Sequence, residues 1–272
     1  MRALTDSEFQ KLRDYIKQNL GINLSDEKRS LVYTRLRSVL DARNIDNFSD
    51  YYDFLVKDKT GTAITELFNK ITTNHTYFMR ETDHFDHLRD KSLPEIYAKF
   101  SSQQDMRLWC AASSSGEEPY TLQMILEDFF KNKTPKWNTQ SLATDISATV
   151  LDKAVHGVYS TASVKELPTA WQKEYFKKFD DENSVVSDDL KSKILFRKLN
   201  LMDENFPFKK KFHIIFCRNV MIYFDEATKN KVIRKMYDCL EHGGYLYIGH
   251  SETIGRAGDG FKYELPAVYK KT

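Results

Sequence analysis

The chain has 272 residues, 41% of them hydrophobic and 13% aromatic, enough for one or two domains with substantial cores. Charged residues make up 29% and nearly cancel at a net +2, too small an excess to imply a nucleic-acid partner. No apolar run approaches the roughly 20 residues that span a bilayer, the best being Phe212 to Phe224, split by Arg218 and Asn219.

The amino terminus carries no signal-peptide hydrophobic region, so the expectation is a cytoplasmic protein without direct membrane insertion. Residues 1–70 predict a helical domain. Thr5-Asp6-Ser7-Glu8 offers a capping box ahead of Phe9, Leu12, Tyr15 and Ile16, which share a helical face, and Gly21 predicts the end of that helix. Ser25 predicts the cap of a second helix, with Asp26 and Glu27 in its first turn. Tyr51–Val56 and Ala63–Ile71 predict two more. Lys28, Arg29, Arg35, Arg37 and Arg43 crowd into this stretch almost without acids, and Lys28 and Arg35, seven residues apart, fall on nearly one face.

From Met106 the pattern changes to strands alternating with helices, which predicts a parallel sheet covered on both faces. The strands are Met106–Ala112, Ser141–Asp145, Phe212–Cys217 and Tyr245–Ile248; the helices are Glu118–Phe130, one from about Ala148, and Glu226–Leu240. Gly243-Gly244 reads as a turn. Residues 158–199 break the rhythm, and the β-like runs Val185-Val186 and Ile194-Leu195-Phe196 predict a small antiparallel lobe inserted into a 71–272 catalytic domain. Three cysteines without a Cys-x-x-Cys spacing argue against a disulfide framework, and Cys110 and Cys217 read as buried inert thiols. The seven histidines show no metal-ligand spacing, so no metal is expected.

The segment Trp109 to Tyr120 is a strand, a small-residue loop and a helix start, where a ligand can approach the backbone closely. Its single glycine, Gly116, meets neither the dinucleotide nor the P-loop pattern. Glu117 and Glu118 at the helix start disfavour a phosphate and suit a cationic amine. Asp145, at a strand end, has the position of an acid that accepts ribose hydroxyls, and equally that of a helix N-cap. A nucleoside with an amino-acid tail and no phosphates is S-adenosylmethionine.

Five segments in order resemble the chemotaxis receptor methyltransferases: Thr72-Thr73-Asn74-His75-Thr76-Tyr77-Phe78-Met79-Arg80-Glu81, Gly116-Glu117-Glu118-Pro119-Tyr120, Ala143-Thr144-Asp145-Ile146, Phe216-Cys217-Arg218-Asn219-Val220-Met221-Ile222-Tyr223-Phe224-Asp225, and Gly249-His250-Ser251-Glu252. The similarity runs from the first helices to the last strand. It implies an S-adenosylmethionine methyltransferase (Rossmann-like) sheet and protein-glutamate O-methyltransferase activity, with the cytoplasmic methylation helices of transmembrane chemotaxis receptors as partners and a monomeric enzyme.

By position, the resemblance places Asn74, Thr76 and Arg80 on the methionine part of the cofactor, Arg80 also near the transferred methyl. It places Glu118 on the amine, Asp145 on the ribose, and Asn200, Leu201, Arg218 and Asn219 on the adenine side. Tyr223 matches a tyrosine near the substrate carboxylate, for which packing is an equal alternative. Lys28, Arg29, Arg35 and Arg43 become a substrate-binding surface for a Glu-rich helix. His250 reads as pocket lining, since an already ionised carboxylate needs no general base. The segment Asp180–Ser184 is acidic and glycine-free, unlike the loop by which family members grip a receptor peptide, so tethering is not implied. A nucleic-acid methyltransferase is disfavoured because Arg218-Asn219-Val220-Met221 lacks the proline-aromatic element that holds a flipped base. A small-molecule carboxyl methyltransferase and a non-enzymatic adaptor remain as alternatives.

Overall fold

Thr5 opens the first helix as its side chain dictates. Its Oγ1 accepts from the Glu8 amide at 3.3 Å, and Glu8 Oε2 accepts from the Thr5 amide at 2.9 Å. The structure is a computed structural model that describes residues 3–72 and 75–272, without the side chains of Arg256 and Ala257. Helix α1 (Asp6–Leu20) ends at Gly21 in a left-handed conformation. Ser25 makes no side-chain cap bond; Asp26–Lys28 forms a 3-10 turn and α2 begins only at Arg29, running to Ala42. Helices α3 (Phe48–Lys57) and α4 (Thr62–Ile71) complete a layer whose core is Leu12, Ile16, Val32, Leu36, Tyr51 and Leu67.

Helices α5 (Thr82–His87) and α6 (Leu93–Lys99) lead into the α/β part. There β1 (Leu108–Ala111), α7 (Glu117–Phe130), β2 (Ser141–Asp145) and α8 (Ala148–His156) alternate. The chain continues through β3 (Val158–Ser160), α9 (Thr161–Val164), α10 (Thr169–Tyr175), β4 (Phe176–Lys178), β5 (Asn183–Val186) and α11 (Asp188–Ser192). It closes with β6 (Ile194–Lys198), β7 (Phe212–Cys217), α12 (Glu226–Cys239), β8 (Leu240–Ile248), β9 (Phe261–Leu265) and β10 (Val268–Lys271).

A seven-stranded sheet has the order β6-β2-β1-β7-β8-β10-β9, with every strand parallel except β10, which runs against both β8 and β9. Residues alternate between its faces as the pleat requires. Cys110, Phe216 and Tyr247 face α5, α6 and α7, whereas Trp109, Ile215 and Leu246 face α12. Because both faces are covered, the strands read as continuous apolar runs.

Two expectations need correction. The run Ile194–Phe196 is not part of the inserted lobe; it belongs to β6, which pairs in parallel with β2 at the edge of the main sheet. The lobe is a three-stranded sheet of β3, β5 and β4, ending at Val186. Nor is Gly243-Gly244 a turn. Both lie inside β8, which starts at Leu240 and carries a bulge opposite the Phe212–Ile214 stretch of β7.

Candidate active site

The crevice opens at the carboxyl ends of β1 and β2, where an open α/β sheet receives its ligand. After β1 the chain turns through Ala112 (φ 60°) and Ser114 (φ 48°) to Gly116 (φ 104°), ahead of α7. A Cβ on Gly116 would stand 2.5 Å from Tyr159 Oη and 2.9 Å from Ala154 Cβ, so only glycine lets the loop pass. Tyr159, from the lobe, donates to the Ser115 carbonyl at 2.7 Å and pins the loop from outside.

Asp145 is 7% exposed and points both oxygens inward. Oδ2 accepts from the Ser114 amide and Oδ1 from the Ser147 amide, both at 2.9 Å. The N-cap of α8 is Ser147, whose side chain accepts from the Val150 amide, so Asp145 does not cap that helix. Burial raises the Asp145 carboxyl above its usual range, against the pull of the amides of Ser147, Ser114 and Ile146. The Ser113 and Ser114 hydroxyls nearby are buried without a partner among the described residues, an unfinished polar lining.

Beside this loop lies a buried ion network. The Arg218 side chain is 1% exposed; Nη1 reaches Glu118 Oε2 at 2.7 Å and Nη2 reaches Glu81 Oε2 at 3.0 Å. Nη2 also donates to the Arg80 carbonyl, and the guanidinium lies over the Phe85 ring at 5.3 Å. Burial pushes the Glu81 carboxyl up, but the Arg218 charge and the Asn219 amide outweigh it, leaving Glu81 below its usual range. The resemblance puts Arg218 on the adenine side; in the structure it sits at the acid end, binding Glu118 and Glu81.

The loop after β7 is held by one carboxylate. Glu252 is 4% exposed and accepts from the amides of Gly249 at 2.6 Å, Asn219 at 3.1 Å and Ile222 at 3.1 Å. A Cβ on Gly249 would stand 2.5 Å from Asn219 Nδ2 and 2.9 Å from Asn219 N. The motif Gly249-His250-Ser251-Glu252 therefore shapes the loop that carries Arg218, Asn219 and Tyr223. The same loop joins the helical layer: Ile22 bridges Phe224, the Asn23 amide donates to the Tyr223 carbonyl at 2.7 Å, and Lys17 pairs with Asp225 at 2.7 Å.

A cavity of about 260 Å³ is lined by Thr76, Arg80, Glu118, Asp145, Arg218, Asn219 and Tyr223. An adjoining cleft, sharing Asp145, Val220 and Tyr223, is lined by Leu20, Ile22, Ile146, Asn200 and Leu201. Asn200 Nδ2 donates to the Asn19 carbonyl at 2.8 Å, tying this wall to α1. Asn74 lies outside the described residues. Tyr223 also packs against the helical core, so contact with the cavity and a packing role coexist. Arg80 Nη1 donates to the His75 carbonyl at 2.7 Å. Phe78 anchors this segment in the core, whereas Tyr77 is 48% exposed at the cavity rim, as is Ile222 at 50%.

Other expectations separate from the cavity. His250 is not pocket lining: its ring reaches Asp83 at 3.0 Å and packs against His84, and its amide donates to Glu81. The cations of the basic stretch are mostly turned to structural work. Arg29 pairs with Asp6, Arg35 donates to the Ile71 carbonyl at 2.5 Å, and Arg43 pairs with Glu66 at 2.8 Å. Lys28 and Arg37 are exposed.

Sequence reasoning missed Glu81 and Glu252 as organisers of the site. The signal lay in acids that follow arginine or a glycine-bounded turn, but their partners are remote in the chain. Glu81, His84 and His250 bring ligand-type atoms within 4.8 Å of one another. The Arg218 guanidinium already supplies the cation beside Glu81, and no metal site is assigned. The cysteines are free, Cys110 and Cys217 are buried, and burial pushes both thiols well up.

Among the non-glycine residues with positive φ, Met79, Glu81, Ala112, Ser114 and Asn219 all border this site, and such strained backbone gathers where a binding site must be shaped. A mostly parallel sheet, a crevice at its carboxyl edge, and the buried Asp145 and part-buried Glu118 in place of a phosphate loop mark the class of α/β folds that bind nucleosides. Comparison with known families sharpens that class. Residues 7–72 match "CheR methyltransferase, all-alpha domain" and residues 74–267 match "CheR methyltransferase, SAM binding domain". The chain belongs to the CheR methyltransferase family, and S-adenosylmethionine is its cofactor. It is 44% identical over 270 residues to a chemotaxis protein methyltransferase of Borreliella burgdorferi, covering 98% of this chain and 95% of that one. It is 33% identical over 274 residues to the chemotaxis protein methyltransferase of Escherichia coli, covering 98% and 91%. No helix among the described residues is long and apolar enough to cross a membrane.

Proposed function

We propose that this protein transfers the methyl group of S-adenosylmethionine to glutamate side chains of chemotaxis receptors, forming glutamate methyl esters. The observation that supports it best is the convergence of Glu118, Asp145, Arg80 and Tyr223 on one cavity. The donor set fits the cofactor: a buried carboxylate for a ribose diol, a second for an ammonium, unpartnered serine hydroxyls, and an apolar cleft for a base.

When bound, the cofactor supplies a methyl on a sulfonium, a group already activated toward a nucleophile. A glutamate side chain, with an ordinary pKa near 4.3, is ionised at neutral pH, so the protein has no proton to remove. Its work is to orient. Arg80 at the rim holds a carboxylate in line, Tyr223 borders the approach, and Asp145 and Glu118 fix the other end. Lys28, Arg29, Arg35 and Arg43, with Arg37, give α2 and its flanks the positive charge that an acidic helix would meet. We infer that the enzyme works as a monomer in the cytoplasm.

Incubation with a tritiated methyl donor and receptor-containing membranes should yield base-labile methanol; an absence of volatile label would sink the reading. Asp145→Ala should weaken binding of the demethylated cofactor by ~1–3 kcal/mol in calorimetry, the cost of losing buried hydrogen bonds. An unchanged affinity in the folded variant removes Asp145 from the ribose. Lys28→Glu with Arg37→Glu should slow receptor methylation several-fold and leave cofactor affinity alone, and the wild-type rate should fall with salt. A normal receptor rate in that double variant would leave α2 an ordinary solvated face.

A further inference from the structure

We infer that Glu81 is a positioning residue that makes the cofactor pocket selective for an ammonium group. It does so by holding Arg218 so that Glu118 keeps a surplus of negative charge. The inference rests on the cofactor reading above and adds to it a residue that touches no ligand.

A guanidinium as deeply buried as that of Arg218 has to be neutralised by neighbours. Glu118 alone would neutralise it and leave nothing over for a cationic ligand. The second acid changes the sum. Glu81 takes Arg218 through Nη2 at 3.0 Å and Nε at 3.3 Å, on the side away from Glu118. The trio of Glu81, Arg218 and Glu118 thus carries one net negative charge; Arg218 and Glu118 both line the cavity, and Glu118 is the acid of the trio that does so.

The surroundings of Glu81 serve this placement. It sits in the left-handed region at φ 57°, directly before α5, an arrangement that costs backbone energy in a residue other than glycine. Its oxygens accept from Asn219 Nδ2 at 3.2 Å and the His250 amide at 3.2 Å, so the head group is fixed from three sides. Arg218 in turn grips the carbonyl of Arg80, so the charge pair also fixes the residue before it. A ligand ammonium entering the cavity completes the neutralisation. A nucleoside without an ammonium gains nothing from it.

Glu81→Gln keeps the size, removes the charge and leaves one oxygen to accept from either Asn219 Nδ2 or the His250 amide. Calorimetry on the full chain with two ligands separates the roles. S-adenosylhomocysteine, which carries the ammonium, should bind about tenfold or more weakly to the variant, through the lost charge. Methylthioadenosine, the same nucleoside without the amino-acid tail, should bind the variant and the wild type alike. Glu81→Asp, which keeps the charge on a shorter stem, should hold S-adenosylhomocysteine more tightly than Glu81→Gln does. Equal weakening of both ligands would make Glu81 a shaper of the pocket and overturn the inference, as would unchanged S-adenosylhomocysteine binding or a tighter Gln than Asp variant. If the wild type binds neither ligand, it is the cofactor reading that falls, and this inference with it.

Discussion

Arg80→Ala should lower methyl transfer by about a hundredfold or more while the protein unfolds at nearly the wild-type temperature. The backbone of Arg80 is held by others: Arg218 grips its carbonyl and Phe78 is buried two residues earlier. Among the described residues its half-buried side chain makes one hydrogen bond, to the His75 carbonyl within its own segment. Little of the fold depends on such a group. In the proposed role the chemistry would depend on it heavily, because two reactants must be held in line and misplacement alone can cost about two orders of magnitude. Arg80→Lys should also be impaired, since an ammonium lacks the planar fork that grips a carboxylate in two places. Near-normal turnover of Arg80→Ala at saturating cofactor would move the key cation elsewhere.

Glu252→Ala should produce the opposite pattern, a loss of fold first. The Glu252 carboxylate satisfies three amides in a place water does not reach, those of Gly249, Asn219 and Ile222. Burial raises its carboxyl above the usual range, against those same donors. Removing it strands all three, and hydrogen bonds to a charged acceptor are worth about 1.5–3 kcal/mol each, so a total loss of about 3–5 kcal/mol is expected once the loop relaxes. Chemical denaturation would measure this as a fall in the midpoint. Glu252→Gln, which keeps an acceptor, should recover part of it. A variant as stable as wild type would mean that the amides find other acceptors.

Local physics was legible in the sequence, and remote pairing was not. The Thr5–Glu8 box and the Gly21 stop depend on residues within one turn, and the sequence shows them directly. Asp145 was visible because a strand end followed by a helix start puts an acid in a known place. The run Ile194–Phe196 reads as part of the lobe because its partner, β2, is about fifty residues away, and neither strand alone reveals a parallel edge pairing. Arg218 shows nothing of its ion pairs in the sequence for the same reason. Its bonds reach back to Glu118 and Glu81, across more than half of the α/β part. Ser25 looked like a cap, but the chain spends one 3-10 turn first, which hands the start of α2 to Arg29.

The join between the helical layer and the sheet has a thermodynamic side. Leu20 and Ile22 from the end of α1, with Phe68 from α4, wall the same cleft as Leu201 and Tyr223. A nucleoside in that cleft touches both halves at once, so it binds the assembled pair and not the separated parts. Its concentration then enters the free energy that holds the halves together. A cofactor seated there would be a keystone as well as a reagent, and its depletion would loosen the join between helical layer and sheet.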